Sequence, residues 1–220
     1  MRIAATFALW IALAGIVLQP ASNALAARPA LAQLGALAAQ VNPGVRPRPE
    51  IVHFVLPEES RIEFHATSTF GKVTGVFRDW RAELKKPEEK FENGSLTLEI
   101  EAASVKTGSG IRDKEVKGKN FFAVKEFPEI HFESKKIVPG PEPTNFSMEG
   151  ELTLRGVTKP VTVEVITGPV VKGHEQVVGS FTFNRREFGM THNPPLNHVA
   201  DTVSVHIALE VEERESALGD

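Results

Sequence analysis

The sequence predicts an all-β domain, either an antiparallel sandwich or a closed barrel. Three observations carry this reading. From Ile51 onward, apolar residues recur at every second position, which puts them on one face of a strand. The alternating runs are short and are punctuated by Gly, Pro and Asn turns. The chain has 14 phenylalanines and no tyrosine. Inward rings without hydroxyls make a dry interior, because they bring no polar tip that needs a partner.

The strands follow in order. Ile62, Phe64 and Ala66 share a face, opposite Arg61, Glu63 and His65. The next run changes phase. Val73, Gly75 and Phe77 give way to Trp80, Ala82 and Leu84, as an extra residue near Arg78-Asp79 would produce in a β-bulge. Leu96, Leu98 and Ile100 alternate with Thr97 and Glu99, and Ile130 and Phe132 with His131 and Glu133. Phe146, Met148, Leu152 and Leu154 form the next apolar face, followed by Val161, Val163 and Val165, and by Phe181 and Phe183. Val203, Val205, Ile207, Leu209 and Val211 complete the set. One stretch does not alternate. In Thr107 to Phe122, the positions of Ile111, Glu115 and Val116 fit a short helix after Gly110 that ends by Gly118. An eight-stranded barrel either fills with its own side chains or holds one small ligand, and periodicity does not decide between these.

The folded domain is expected over residues 51–213, with a tail at 214–220. Before it, Met1-Arg2, the apolar run Ile3 to Leu18 and Ala24-Leu25-Ala26 have the pattern of a signal peptide at 1–26. Residues 27–50 are rich in Ala and then Pro and suit a linker. This organisation implies a periplasmic or secreted protein with no membrane span once the signal is removed. The formal net charge of -3 and the scattered Lys and Arg argue against a nucleic-acid partner. No cysteine is present, so disulfides, thiolate metal sites and cysteine nucleophiles are excluded.

Polar candidates are sparse. His65, His131 and His206 fall on outward faces of different strands, and His192 and His198 flank a Pro-Pro loop, so no metal site is expected. The pairs Glu58-Glu59, Glu88-Glu89 and Glu212-Glu213 are read as solvated turns or tails without the burial that acid–base work needs. No G-x-S-x-G or phosphate loop occurs, and no catalytic residue is expected. Arg112-Asp113 in the helical connection and Arg185-Arg186 near a strand end are more pointed. An arginine fork suits an anionic head group, but the favoured reading is an ion pair that ties the helical connection to the barrel wall.

The stretches SVKTGSGIRDKEVKGKNFFAVKEFPEIHFESKKI (Ser104–Ile137), GELTLRGVTKPVTVEV (Gly150–Val165), SFTFNRREFGM (Ser180–Met190) and ADTVSVHIALEVE (Ala200–Glu212) stand in one order. Together they resemble the YceI family of bacterial, lipocalin-like, polyisoprenoid-binding proteins, over about Phe54 to Glu212. The resemblance implies an antiparallel eight-stranded barrel with a helix near one end. It also implies a binding protein, not an enzyme, that needs no cofactor and holds an isoprenoid lipid such as a polyprenyl phosphate or a quinone tail. On that reading Phe64, Phe77, Phe121, Phe122, Ile130, Phe132, Met148, Leu152, Phe181 and Phe183 line the chain-binding surface, and Arg112 and Arg185 are the head-group candidates. One departure stands out. Where many members carry a histidine before the V-x-G-x-F run, this chain has Thr67 or Ser68, which implies a preference for another head group or for none. Two other readings remain, a ligand-free scaffold for a protein partner and an enzyme acting on an isoprenoid substrate. A homodimer is compatible with the sequence.

Overall fold

The computed structural model describes residues 51–87 and 90–215. The signal-peptide and linker expectations, the pair Glu88-Glu89 and residues 216–220 lie outside them. The strands are β1 (Ile51–Val55), β2 (Arg61–Ser68), β3 (Gly71–Phe77), β4 (Trp80–Lys85), β5 (Ser95–Glu101), β6 (Glu129–Pro139), β7 (Asn145–Leu154), β8 (Val157–Thr167), β9 (His174–Asn184) and β10 (Thr202–Glu215). Among the described residues one α-helix, α1 (Gly110–Lys117), crosses between β5 and β6 where the alternation lapses.

All pairings are antiparallel, in the order β3-β2-β10-β9-β8-β7-β6-β5-β4, with β1 added to β10. β1 takes residues 211–215 of β10 and β2 takes residues 204–208, so the two share one lane. β3 and β4 stand at opposite ends of the sheet, yet only Arg78 and Asp79 separate them in the chain. The ten strands therefore fill eight lanes, and the two sheet ends belong to one broken strand. The break falls where the phase change was expected. It is sealed by the segment after β5: Val76 exchanges backbone hydrogen bonds with Lys106, Glu101 N–H donates to Asp79 O, and Arg78 N–H donates to Ser104 Oγ.

The expected antiparallel barrel with a short helical connection is thus the observed fold. The inward residues form one core, from Ile62 and Phe64 through Leu98, Phe132, Met148 and Val163 to Ile207 and Val211. Burying each side chain of this size contributes roughly 1.5–3 kcal/mol, so the period-two pattern is also the main source of stability.

Two glycines shape the interior. A Cβ on Gly75 would stand 2.2 Å from Phe64 Cε1, and one on Gly150 would stand 2.6 Å from the Phe132 ring. Each ring edge takes the space beside bare glycine backbone that any other residue's Cβ would fill, so both rings sit closer to the wall than a larger residue there would allow.

Candidate functional site

The barrel interior divides into two parts along its length. At one end Leu84, Phe91, Ile137, Phe146 and Val211 pack together as solid core, with the Phe91 and Phe146 rings 4.8 Å apart. Above them a cavity opens, lined by inward residues of eight strands, from Leu96, Val177 and Leu209 below to Ser68, Arg112, Pro194 and Asn197 at the mouth. On β10 the lining runs from Leu209 to Val203, a length of about 20 Å at strand rise. The cavity is thus a blind, apolar tunnel that is open at the helical end.

All ten residues expected on the chain-binding surface line this cavity, and so do Arg112 and Arg185. Phe64, Phe77 and Phe122 form a three-ring cluster with centroids 5.6–6.0 Å apart. Phe181 and Phe183 are only partly buried, and Phe183 meets Phe188 edge-on at 5.3 Å. Their strand is joined to β8 by four residue pairs, Glu164↔Ser180 to Thr167↔Val177, so the wall beside these two rings is not laddered to β8.

Arg185 does not offer a free fork. It sits at the start of a 3₁₀ helix, Arg185–Phe188, with 2% of its surface exposed. Nε donates to Ala200 O. One terminal nitrogen donates to Met190 O and His192 O, the other to Asn193 Oδ1 and Val199 O. Five acceptors use all five guanidinium N–H groups. The head-group expectation for Arg185 is therefore corrected: it clamps the loop that forms one side of the mouth. Asp201 lies 3.2 Å away and also holds Arg186 at 2.6 Å. The hydrogen bond from Arg186 holds the Asp201 carboxyl below its usual range, against a smaller cost of burial.

Arg112 is different. One terminal nitrogen donates to Thr107 O, while Nε is buried without a hydrogen-bond partner. Asn197 Oδ1, an acceptor at the same mouth, is also buried and unpaired. Asp113 turns away. It accepts from the Thr107 hydroxyl and backbone N–H, both at 2.7 Å, and these bonds lower its pKa. Sequence reasoning missed Asn197, since a lone Asn in a Pro-rich loop carries no signal. Ser68, at the place of the missing histidine, lines the mouth and donates to Gly71 O.

The outer face holds the histidines expected there. His65 and His206 stack edge-on at 5.0 Å, and His65 bonds Thr74 and Glu63. His131 lies with Glu99 and Glu129 so that their ligand atoms fall within 4.8 Å of one another, but Arg81 already pairs with Glu99. At the packed end, Lys86 donates to Glu175 at 2.6 Å and to Glu213 at 3.1 Å, and His53 Nε2 lies 3.5 Å from Glu213. The reading of Glu212-Glu213 as a solvated tail is thereby corrected: both belong to β10, and Glu213 is drawn into this cluster because the buried Lys86 ammonium needs carboxylate partners. Burial lowers the Lys86 pKa, but the two carboxylates outweigh it and the net shift is upward. None of the described carboxylate or histidine groups lines the tunnel except Glu115 at its mouth.

Three comparisons bear on this geometry. The model of the YceI-like domain matches residues 55–211. A UPF0312 protein of Pseudomonas savastanoi pv. phaseolicola is 30% identical over 134 residues, covering 59% of this chain and 69% of that one. The crystal structure of Burkholderia cenocepacia BcnA superimposes with a TM-score of 0.66 at 25% identity, over 71% of this chain and 98% of that one. The Campylobacter jejuni YCEI protein gives 0.56 at 26% identity, over 64% and 85%. A polyisoprenoid binding domain from Saccharophagus degradans, 13% identical, shares the fold with a TM-score of 0.59, over 75% of this chain and 100% of that one.

Proposed function

Because this chain belongs to the YceI-like domain family, we propose that it is a non-catalytic carrier that takes a long apolar, isoprenoid-type lipid tail-first into the tunnel. The observation that carries this reading is the blind tunnel itself, whose walls are almost wholly aliphatic and phenylalanine side chains. An extended prenyl chain entering it would gain roughly 25 cal/mol for each Å² removed from water. A preformed tunnel reduces the ordering cost that opposes binding.

The polar end of the lipid would stay at the mouth. There, Arg112 Nε and Asn197 Oδ1 provide a donor and an acceptor not used by the protein. An unmet buried polar atom costs free energy until a partner arrives, so Arg112 Nε favours a ligand with an acceptor oxygen at its head, and Asn197 Oδ1 one that also brings a hydroxyl or acid proton. A singly protonated polyprenyl phosphate offers both, and a quinone offers the acceptor alone. The enzyme reading draws no comparable support, since catalysis needs converging titratable groups and the tunnel wall is apolar. The expected residence is the periplasm or the exterior, where an apolar lipid needs a protein cover to cross water.

The experiment is to purify the chain from bacteria without detergent, extract it with organic solvent and analyse the extract by mass spectrometry. A stoichiometric prenyl lipid supports the carrier. An empty extract, together with no binding of added prenyl lipids, removes it in favour of a scaffold.

A further inference from the structure

Three large apolar side chains protrude around the tunnel mouth. Phe70, at the β2–β3 tip, is 77% exposed; Ile111, on α1, is 84% exposed; Leu196, in the loop before β10, is 90% exposed. Each stands one or two positions from a residue that lines the cavity, namely Ser68, Arg112 and Asn197. The segments are tied to each other or to the wall. Thr69 and His198 exchange hydrogen bonds at 2.9 and 3.0 Å, Arg185 clamps the loop, and Arg112 and Asp113 anchor α1 to Thr107. Leu196 has φ of 63°, a backbone state that a bulky residue rarely adopts, and the Pro194–Asn197 turn holds it there. A strained residue that shows its apolar side chain to solvent points to a use for that exposure.

Charge adds a direction. The chain is acidic overall, with a formal net charge of -3. Segments 68–72 and 107–119 at the mouth are not: they carry Lys72, Arg112, Lys114, Lys117 and Lys119 against Asp113 and Glu115, and Asp113 is already engaged. Apolar tips set among lysines fit the boundary of an anionic bilayer, where rings and aliphatic chains enter the acyl region and ammonium groups meet the head groups.

We propose that this rim is a membrane-docking surface, which seats the mouth on an anionic lipid bilayer so that a lipid passes between bilayer and tunnel without crossing water. The inference deepens the carrier reading and rests on it for its purpose, but its test is separate. The full chain is floated with vesicles of phosphatidylethanolamine and phosphatidylglycerol, and with vesicles of phosphatidylcholine. The variants are Phe70→Ser/Ile111→Gln/Leu196→Ser and, at the opposite end, Val170→Ser/Val171→Ser, both of exposed residues. The wild type is expected to float with the anionic vesicles, less so at high salt. The rim variant should lose this by about tenfold or more, since it forfeits the apolar insertion, and the opposite-end variant should retain it. Lack of association by the wild type, or equal flotation of the rim variant, overturns the proposal. So does sedimentation showing that the rim instead joins two copies of the chain. Titration with a short-chain prenyl alcohol in vesicle-free buffer reads the tunnel alone. A rim variant that keeps this binding while losing the vesicles supports docking, whereas failure of the titration in the wild type counts against the carrier and leaves the flotation result standing.

Discussion

Phe64 and Gly75 face each other across the β2–β3 ladder, and the ring occupies the place where a Cβ on residue 75 would be. Phe64 also anchors the three-ring cluster with Phe77 and Phe122. Gly75→Ala must push the ring toward the axis. The expected loss is about 1–3 kcal/mol, the usual scale of overpacking in a tight core. A urea midpoint equal to wild type would contradict this account of the glycine.

The tunnel and its mouth are separable by mutation. Ala66 lines the cavity beside Val73 and is only partly buried, so Ala66→Trp should fill the upper tunnel at little cost to folding. Binding of prenyl phosphate and of quinone is expected to fall together, by about tenfold or more. Arg112→Gln should weaken the phosphate-bearing lipid by about 10- to 100-fold and the quinone by much less, because the first loses a charge-assisted bond to an anion and the second a bond to a neutral oxygen, while either tail still fits. Equal losses for both lipids in the Arg112 variant would remove its head-group role.

Arg185→Met withdraws the donors of five carbonyl or amide oxygens at once. Four are backbone groups of the loop between Met190 and Ala200. A loss of about 3–5 kcal/mol is expected, the scale for breaking a buried charged network. Amide exchange should rise first in residues 190–200. Unchanged exchange there would mean that the loop is held by other contacts.

Lys86 sets a pH limit. Its pKa is raised in the folded chain by Glu175 and Glu213, despite the opposing effect of burial. A raised folded pKa means that the lysine contributes fully below the unfolded value of 10.5 and that this contribution is lost as pH climbs through the folded value. Melting temperatures are thus expected to fall above that pH in the wild type. Lys86→Met should be less stable at neutral pH by about 3–5 kcal/mol, because it strands the carboxylates, and should lack the alkaline step. A variant with the wild-type profile would show that another group titrates.

How far the sequence was legible follows from which forces are local. Alternation named the inward faces of β2 to β10, because strand periodicity is a property of neighbours in sequence, but not that of β1, where His53 is buried and Val52 and Phe54 are exposed. The break at Arg78-Asp79 was visible as a phase change, and the helix as a lapse at Gly110 to Gly118. Lane sharing by β1 and β2 was not visible, since it depends on the far half of β10. Nor was the split of the interior into packed end and tunnel. The fit of Phe64 and Phe132 against Gly75 and Gly150 was equally hidden, because it is a match of shape between neighbouring strands. Arg185 was singled out but could not be assigned, because its five acceptors lie on a loop with no pattern of its own. Lys86 and Glu175 are separated by 89 positions, so their pairing leaves no trace in local spacing.

The position of β10 has a kinetic meaning. It is the last described strand in the chain, yet it lies inside the sheet between β9 and the lane shared by β1 and β2. Until it is made, a growing chain holds two unfinished β-ribbons with open edges, joined at the β3–β4 hinge and by the Val76–Lys106 bridge beside it. Folding must wait for contacts that span some 150 positions, such as Ser60 Oγ accepting from Glu210 N–H, and topologies of that kind assemble slowly. A nascent chain would expose adhesive strand edges throughout that wait. Chaperone demand during synthesis, more than the stability of the finished barrel, should limit how much of this protein a cell can make.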